Sequence, residues 1–433
     1  MDSSMKIAVI GAGTMGSGIA QVAAQAGHAV VLFDTRKEAV DKALAGLRKT
    51  LDKLVEKGKF TSAEGDAIFS RIAPSTDLKD LTSSGLVIEA IIEDLVIKKK
   101  LFADLESILS ADAILATNTS SLSVTAIAAA CTKPERFIGL HFFNPAPVLP
   151  LVEVVPGLAT DSALAPRMSA LMRAWGKIPV MCKDTPGFIV NRVARPFYGE
   201  AIRIFEEGIA DMPTIDAAMK SVGFKMGPFE LMDLIGNDIN FTVTKTVWEA
   251  FFFDPRYKPS LTQQRQVESG RLGRKTGRGY YSYDANGAIQ TSAGAPQTSA
   301  GALVEDPAVK GAMAAGSLRS SGDPAEVYQA TGSHPASVNP AEVLTSEIVE
   351  RVLAMLINEA ADALFWQVAA AKDIDLAMTK GVNYPKGLLA WANEKGAPHW
   401  LGVLERLQAT YREDRYRPSP LLRSSASTGA LLA

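Results

Sequence analysis

Gly11-Ala12-Gly13-Thr14-Met15-Gly16 follows directly on the apolar run Ile7-Ala8-Val9-Ile10 and leads into a helix-like stretch, a second apolar run from Ala29 to Phe33, and Asp34. Few folds accommodate that order. Gly11 permits a tight turn out of a strand, Gly13 lets the backbone approach a pyrophosphate, and Gly16 lets a helix pack closely on a sheet. The helix N-terminus offers unpaired N–H groups to the phosphates, so the loop as a whole, Thr14 and Met15 included, is expected to bind a dinucleotide. Asp34 ends the second strand, where a carboxylate accepts hydrogen bonds from the adenosine ribose hydroxyls and repels the extra phosphate of NADP. The expected cofactor is therefore NAD.

A chain of 433 residues is too long for one ordinary core, and two or three domains are expected. Its net charge of −2 offers no electrostatic footprint for nucleic acid or an anionic membrane. Cys131 and Cys182 form neither a CxxC nor any metal-ligand spacing, so they are expected to be reduced, partly buried side chains, with no metal site. Met1 to Lys6 enter the first strand with no room for a charged and then apolar leader, and the apolar stretches are broken well short of a bilayer span. A cytoplasmic protein with neither nucleic-acid nor membrane partners is expected.

From Arg36 to Lys59, Val40, Leu44, Leu47, Leu51, Leu54 and Val55 recur at helical spacing, which predicts a helix or helix pair. Leu86–Ala90, Ala113–Thr117, Phe137–His141 and Leu151–Val155 read as further buried parallel strands of a doubly wound α/β sheet of the Rossmann type. This predicts a dinucleotide-binding domain over 1–185, a helical domain over 186–283 after the break at Thr185-Pro186-Gly187-Phe188, and an Ala/Ser/Gly/Pro-rich linker over 284–340. Beyond the linker the chain repeats itself: Glu200-Ala201 and Ile215-Asp216 recur as Glu359-Ala360 and Ile374-Asp375, and the Gly227 region recurs around Gly387. A second all-α domain of the same type is expected over 341–425.

A bound NAD implies hydride transfer, which needs a base for a substrate hydroxyl and a group to orient that base. The chain has 4 histidines. His28 reads as a helix cap, His334 lies in the linker, and His399 lies in the helical repeat beside Trp400. His141 differs, because it ends a strand of the nucleotide domain, where an open sheet places its ligands. Glu153 interrupts an otherwise apolar strand, where a carboxylate is costly without a partner. If the two strands are neighbours, Glu153 can take the Nδ1 proton of His141, fix its tautomer, and stabilise the imidazolium formed as Nε2 removes a proton. Asn118-Thr119-Ser120-Ser121 follows another strand at the same sheet edge and reads as a helix cap that can also serve the site.

The glycine loop, Asn118–Ser121, Gly139–Pro145, Lys183–Arg192 and Met226–Leu231, in that order, resemble the L-3-hydroxyacyl-CoA dehydrogenase family over the chain to about residue 283. The repeat resembles the longer bacterial members that act on 3-hydroxybutyryl-CoA or 3-hydroxyadipyl-CoA. The resemblance implies that His141 is the general base and Glu153 its partner, and that Ser120 and Asn191 hydrogen-bond the substrate, with Asn191 reaching across from the second domain. It further implies that Glu93, Lys98, Asn118, Asn144 and Lys275 lie along the NAD, with Thr50 and Lys57 near coenzyme A. Glu350 stands in the second copy where the first has Asn191, which implies a structural role for that copy, either in a homodimer or in a monomer whose two helical domains pair within one chain.

The expected activity is thus NAD-dependent oxidation of (S)-3-hydroxyacyl-CoA to 3-ketoacyl-CoA in fatty-acid β-oxidation, phenylacetate catabolism or polyhydroxybutyrate metabolism. A related β-hydroxyacid or sugar-acid dehydrogenase and a non-catalytic NAD-binding structural protein are the competing readings. The four polar residues Ser120, His141, Glu153 and Asn191, kept together, argue against both.

Overall fold

The computed structural model describes residues 5–290 and 339–433. The expected linker over 284–340 lies mostly outside the described residues, as does His334. By compactness the chain forms two units, one of residues 1–193, 360–391 and 432–433, the other of residues 194–359 and 392–431.

The first unit holds a Rossmann-like sheet of 8 strands: β1 Ile7–Ile10, β2 Val30–Phe33, β3 Ile72–Ser75, β4 Leu86–Glu89, β5 Ile114–Thr117, β6 Phe137–Phe142, β7 Leu151–Pro156 and β8 Ile178–Met181. Their spatial order is β3-β2-β1-β4-β5-β6-β7-β8, with every pair parallel except β6 and β7. The interior strands are apolar and buried along their length because helices cover both faces. Ile7, Val9, Leu32, Ile88 and Val154 form one core with Ile19 and Ala23 of the helix Thr14–Gln25.

The reading of the sheet needs correction, while the helix of the Arg36–Lys59 segment is one of the two expected forms. β7 runs antiparallel to β6, since the connection 143–150 is too short for the crossover of a dozen or more residues that parallel neighbours require. β3 and β8 escaped the sequence reading because each is an edge strand carrying a proline, Pro74 or Pro179, with no apolar run long enough to register. The Arg36–Lys59 segment is one helix, Lys37–Glu56, buried through Val40, Ala43, Leu47 and Leu51, with Glu38 in its first turn and Lys53 in its last to match the helix dipole.

The second unit is rich in helices, among them Arg195–Glu206, Met212–Ser221, Pro228–Ile235, Asn237–Ala250, Ala397–Tyr411 and most of the long Pro340–Phe365. A few isolated β-bridges between Gly273 and Ile289 accompany them. The sequence repeat has a physical cause. Asp216 accepts the N–H groups of Phe229 and Glu230 at 2.9 and 3.0 Å, capping the helix Pro228–Ile235 from an upstream helix. In the first unit Asp375 does the same for Leu389 and Ala390 at 2.9 and 3.0 Å. Gly227 and Gly387 must lack side chains, because a β-carbon would stand 2.3 and 2.2 Å from those aspartates.

A reciprocal exchange of charge crosses the repeats within the second unit. Buried Glu200 accepts Arg351 Nε and the Tyr416 hydroxyl, both at 3.0 Å, while buried Glu359 accepts the Tyr257 hydroxyl at 2.5 Å and lies 3.5 Å from Arg256. Arg351 also grips Glu207 at 2.7 and 3.0 Å and donates to the Tyr411 hydroxyl.

Both cysteines are free and buried. No helix among the described residues is long and apolar enough to cross a membrane, and no cluster of their His, Cys, Asp and Glu residues could hold a metal ion.

Candidate active site

The glycine loop takes the shape its sequence implies. Gly11 has φ +102°, and a β-carbon on it would collide with the Ala90 carbonyl at 2.5 Å. A β-carbon on Gly16 would stand 1.8 Å from the Gly11 carbonyl, so helix and strand meet backbone to backbone. Gly13 faces open space, with nothing within 4 Å of where a β-carbon would be, and no side chain caps the helix that starts at Thr14. The open approach and the uncapped N-terminus suit a pyrophosphate. At the end of β2, Asp34 Oδ2 accepts the Ala12 N–H at 3.0 Å, which aims the carboxylate along the loop.

His141 and Glu153 sit directly opposite each other in the antiparallel β6/β7 register. Side chains in such a pair share one face, a few Å apart. Glu153 Oε2 is 2.7 Å from His141 Nδ1, and its Oε1 accepts the N–H groups of Ile189 and Val190 at 3.0 and 2.9 Å. Three partners thus offset the cost of a carboxylate that is 0% exposed. The two N–H groups converge because Gly187 and Phe188 adopt left-handed φ of 73° and 50°. Phe188, 1% exposed, also packs its ring 5.9 Å from the imidazole, with Phe143 at 4.5 Å on the same ring. With Nδ1 facing a carboxylate, the donor proton belongs there, and Nε2 is left as the acceptor.

Asn191 follows on the same turn, and its Nδ2 donates to the Ser120 carbonyl at 3.2 Å. The structure therefore holds the four as two pairs, His141 with Glu153 and Asn191 with Ser120, connected through Val190, which binds Glu153 and precedes Asn191 in the chain. By compactness Asn191 lies in the first unit with the other three.

Glu93 organises the loop after β5. Its Oε1 accepts from the Thr119 hydroxyl at 2.6 Å and from the N–H groups of Ser120 and Ser121 at 2.9 and 3.2 Å. Burial alone would raise its carboxyl, but Lys98 and these donors outweigh it and hold the group below the usual carboxylate range. Lys98, 1% exposed, places its ammonium between Glu89 at 2.5 Å and Glu93 at 3.2 Å. Its charge acts through Glu93. Asn118 Oδ1 accepts the Phe142 N–H at 2.8 Å and tethers the end of β6 beside the histidine. The cap of the following helix is Ser123, not a member of the Asn118–Ser121 cluster, which instead forms the turn around Glu93.

Asn144 is exposed and precedes the cis peptide to Pro145. Thr50 and Lys57 are exposed at the end of the helix Lys37–Glu56, where Thr50 donates to the Gly46 carbonyl, and neither joins this network. Lys275 lies in the second unit with its ammonium on Asp238 at 2.6 and 2.7 Å. His28 is a structural residue: its N–H caps the end of the helix Thr14–Gln25 at the Ala23 carbonyl at 3.2 Å, and its ring Nδ1 lies 2.9 Å from the Met5 carbonyl.

Four residues of this framework escaped the sequence reading. Glu89 accepts Lys98, the Ile91 N–H and the Thr117 hydroxyl in the core. Asp184 accepts Ser123 Oγ and the N–H groups of Val124 and Thr125 at 2.8, 3.0 and 2.7 Å. Lys177, buried so that its ammonium falls to about 8, donates to the Ala146 and Leu149 carbonyls and staples the loop joining His141 to Glu153. Phe188 is the fourth. A charged residue at the end of a strand was the available signal for Glu89, while the others depend on tertiary partners.

The described geometry can hold a dinucleotide and orient an imidazole as a proton acceptor. The family model for the 3-hydroxyacyl-CoA dehydrogenase NAD-binding domain matches residues 6–185, and the model for the C-terminal domain of that family matches twice, over 187–283 and 348–432. The chain is 43% identical to 3-hydroxyadipyl-CoA dehydrogenase of Escherichia coli K12 over 97% of each chain. It is 44% identical to human mitochondrial hydroxyacyl-coenzyme A dehydrogenase, covering 64% of this chain and 90% of that one. A crystal structure of 3-hydroxybutyryl-CoA dehydrogenase from Escherichia coli K12 is similar at a TM-score of 0.83 and 41% identity, with 98% of both chains covered.

Proposed function

This chain belongs to the 3-hydroxyacyl-CoA dehydrogenase family, and we propose that it oxidises (S)-3-hydroxyacyl-CoA to 3-ketoacyl-CoA on short or dicarboxylic acyl chains. It is an NAD-dependent oxidoreductase. The observation that carries the reading is the His141–Glu153 pair at 2.7 Å beside Ser120 and Asn191. Bound NAD supplies the acceptor for the hydride that leaves C3.

His141 Nε2 takes the hydroxyl proton as the C3–O bond becomes a carbonyl, and Glu153 stabilises the imidazolium through Nδ1. Ser120 and Asn191 donate to the substrate oxygens and orient C3. Gly11, Gly13, Thr14, Met15 and Gly16 hold the pyrophosphate, Asp34 the adenosine ribose, and Glu93, Asn118, Asn144 and Lys275 line the rest of the cofactor, with Lys98 fixing Glu93. Thr50 and Lys57 serve coenzyme A.

The linear division into 1–185, 186–283, 284–340 and 341–425, with two helical domains of one type, is part of this reading. The double match of one domain model and the paired Asp216 and Asp375 caps support it. The reciprocal Glu200 and Glu359 contacts support pairing of the repeats within one chain, hence a monomer, which a solution mass would check. A cytoplasmic location completes the proposal.

The chain is expected to consume NADH with acetoacetyl-CoA and with 3-oxoadipyl-CoA, and the ratio of the two kcat/KM values assigns the acyl class. NADH binding without turnover of either thioester would overturn the reading, and turnover of free acetoacetate would favour a hydroxyacid dehydrogenase. Asp34→Ser is expected to narrow the preference for NADH over NADPH by about tenfold or more, because it removes a carboxylate next to the place of the extra phosphate. Comparing kcat/KM for the two cofactors checks this.

A further inference from the structure

Residues 360–391 fall in the first compact unit, although by sequence they belong to the second repeat. The helix Ala371–Gly381 packs against β7, β8 and the short helix Val190–Val193. Backbone ties accompany it: the Lys183 N–H donates to the Val368 carbonyl at 2.8 Å, and the Met181 N–H donates to Asp373 Oδ2 at 3.2 Å. The tightest approach is at Gly381, where a β-carbon would stand 2.5 Å from Leu151 Cδ2 and 3.3 Å from Val190 Cγ2. Both neighbours are buried, Leu151 being 0% and Val190 2% exposed, so neither can swing out into solvent without losing its packing.

Both neighbours lead to the same carboxylate. Leu151 opens β7 two residues before Glu153, and the Val190 N–H is bound to Glu153 Oε1 at 2.9 Å. A fully buried carboxylate takes its position from whatever packs behind its strand and its donors.

We propose that Gly381 is a positioning residue for the general base: by admitting the helix Ala371–Gly381 against Leu151 and Val190, it lets the second repeat set Glu153 against His141. The second copy then keeps a part in the reaction despite having Glu350 in place of the substrate-binding asparagine. The proposal rests on the reading of His141 as the base. Gly381 is helical with φ outside the left-handed region, so alanine meets no backbone penalty there and has the better helix propensity. Any loss in Gly381→Ala therefore comes from the added methyl.

The test compares full-length wild type, Gly381→Ala, and Gly381→Ala with Leu151→Val, which removes the colliding Cδ2. Gly381→Ala is expected to lower kcat about tenfold to a hundredfold, the scale of a small misplacement of catalytic groups, and to shift the alkaline limb of the kcat profile for 3-oxoacyl-CoA reduction, the direction in which the imidazolium donates the proton. KM for NADH should stay within about twofold, since the glycine loop is untouched, and Leu151→Val should restore much of kcat. Wild-type kcat and pH profile in Gly381→Ala would overturn the proposal. So would a fall in kcat that tracks a rise in KM for NADH and a lowered Tm without recovery in the double variant. A wild-type chain that turns over no 3-oxoacyl-CoA would remove the functional reading and this inference with it.

Discussion

Replacing His141 with alanine is expected to lower kcat by about three orders of magnitude, within the range for loss of a positioned general base, while NADH affinity is unchanged. His141 sits on β6 and the glycine loop follows β1, so the substitution leaves the loop untouched. Glu153→Gln should be nearly as damaging, for a different reason. Its amide can keep an oxygen on the Ile189 and Val190 N–H groups, but it then presents an NH2 to His141 Nδ1. Two donors cannot face each other, so the imidazole moves its proton to Nε2, the atom that must accept one. Steady-state reduction of acetoacetyl-CoA together with a fluorescence titration of NADH separates the two effects. Retention of more than about a tenth of wild-type kcat in His141→Ala would falsify the assignment of the base.

Arg351→Ala is expected to destabilise the second unit by about 3–5 kcal/mol, the cost of removing one partner from a buried ion pair. Arg351 is 6% exposed and is bound to Glu200, which is 3% exposed, and to Glu207. Its loss leaves Glu200 with the Tyr416 hydroxyl at 3.0 Å, and with Arg415 at 3.8 Å and Arg203 at 3.9 Å, both too far for a hydrogen bond. Converting the pair to apolar and neutral groups, Arg351→Met with Glu200→Gln, should recover part of the loss, because the buried carboxylate at position 200 is removed with its partner, while the more exposed Glu207 still loses Arg351. Urea unfolding of the full-length variants followed by circular dichroism measures both. An Arg351→Ala midpoint equal to wild type would show that the exchange between the repeats is not structural. Kinetic constants measured well below the transition should change little, since the bonds of Arg351 to Glu200, Glu207, Tyr411 and Tyr416 all lie within the second unit.

The dinucleotide site was legible because everything it needs lies within one stretch of chain. Turn, close approach, helix N-terminus and acid follow one another from Ile7 to Asp34, and local geometry dictates each. His141 and Glu153 were legible as residue types, a histidine at a strand end and a carboxylate in an apolar strand. The internal repeat was legible too, since each copy requires an aspartate cap and a glycine with no room for a side chain.

Other features depended on which elements became neighbours. The length of the 143–150 connection turned β7 antiparallel and put His141 opposite Glu153, whereas apolar content alone suggested a parallel strand. The edge strands β3 and β8 had no periodic signal, because each is 4 residues long and carries a proline, which an edge tolerates. Glu93 over Ser120, Lys177 under the β6–β7 loop, and Gly381 against Leu151 join residues far apart in sequence. The sequence by itself determined the interior parallel strands, the cofactor loop and the candidates for the reacting side chains, because these follow from short-range order and from residue chemistry. The orientation of those side chains was decided only by the tertiary structure, because a buried carboxylate or ammonium is held by groups that packing alone brings within reach.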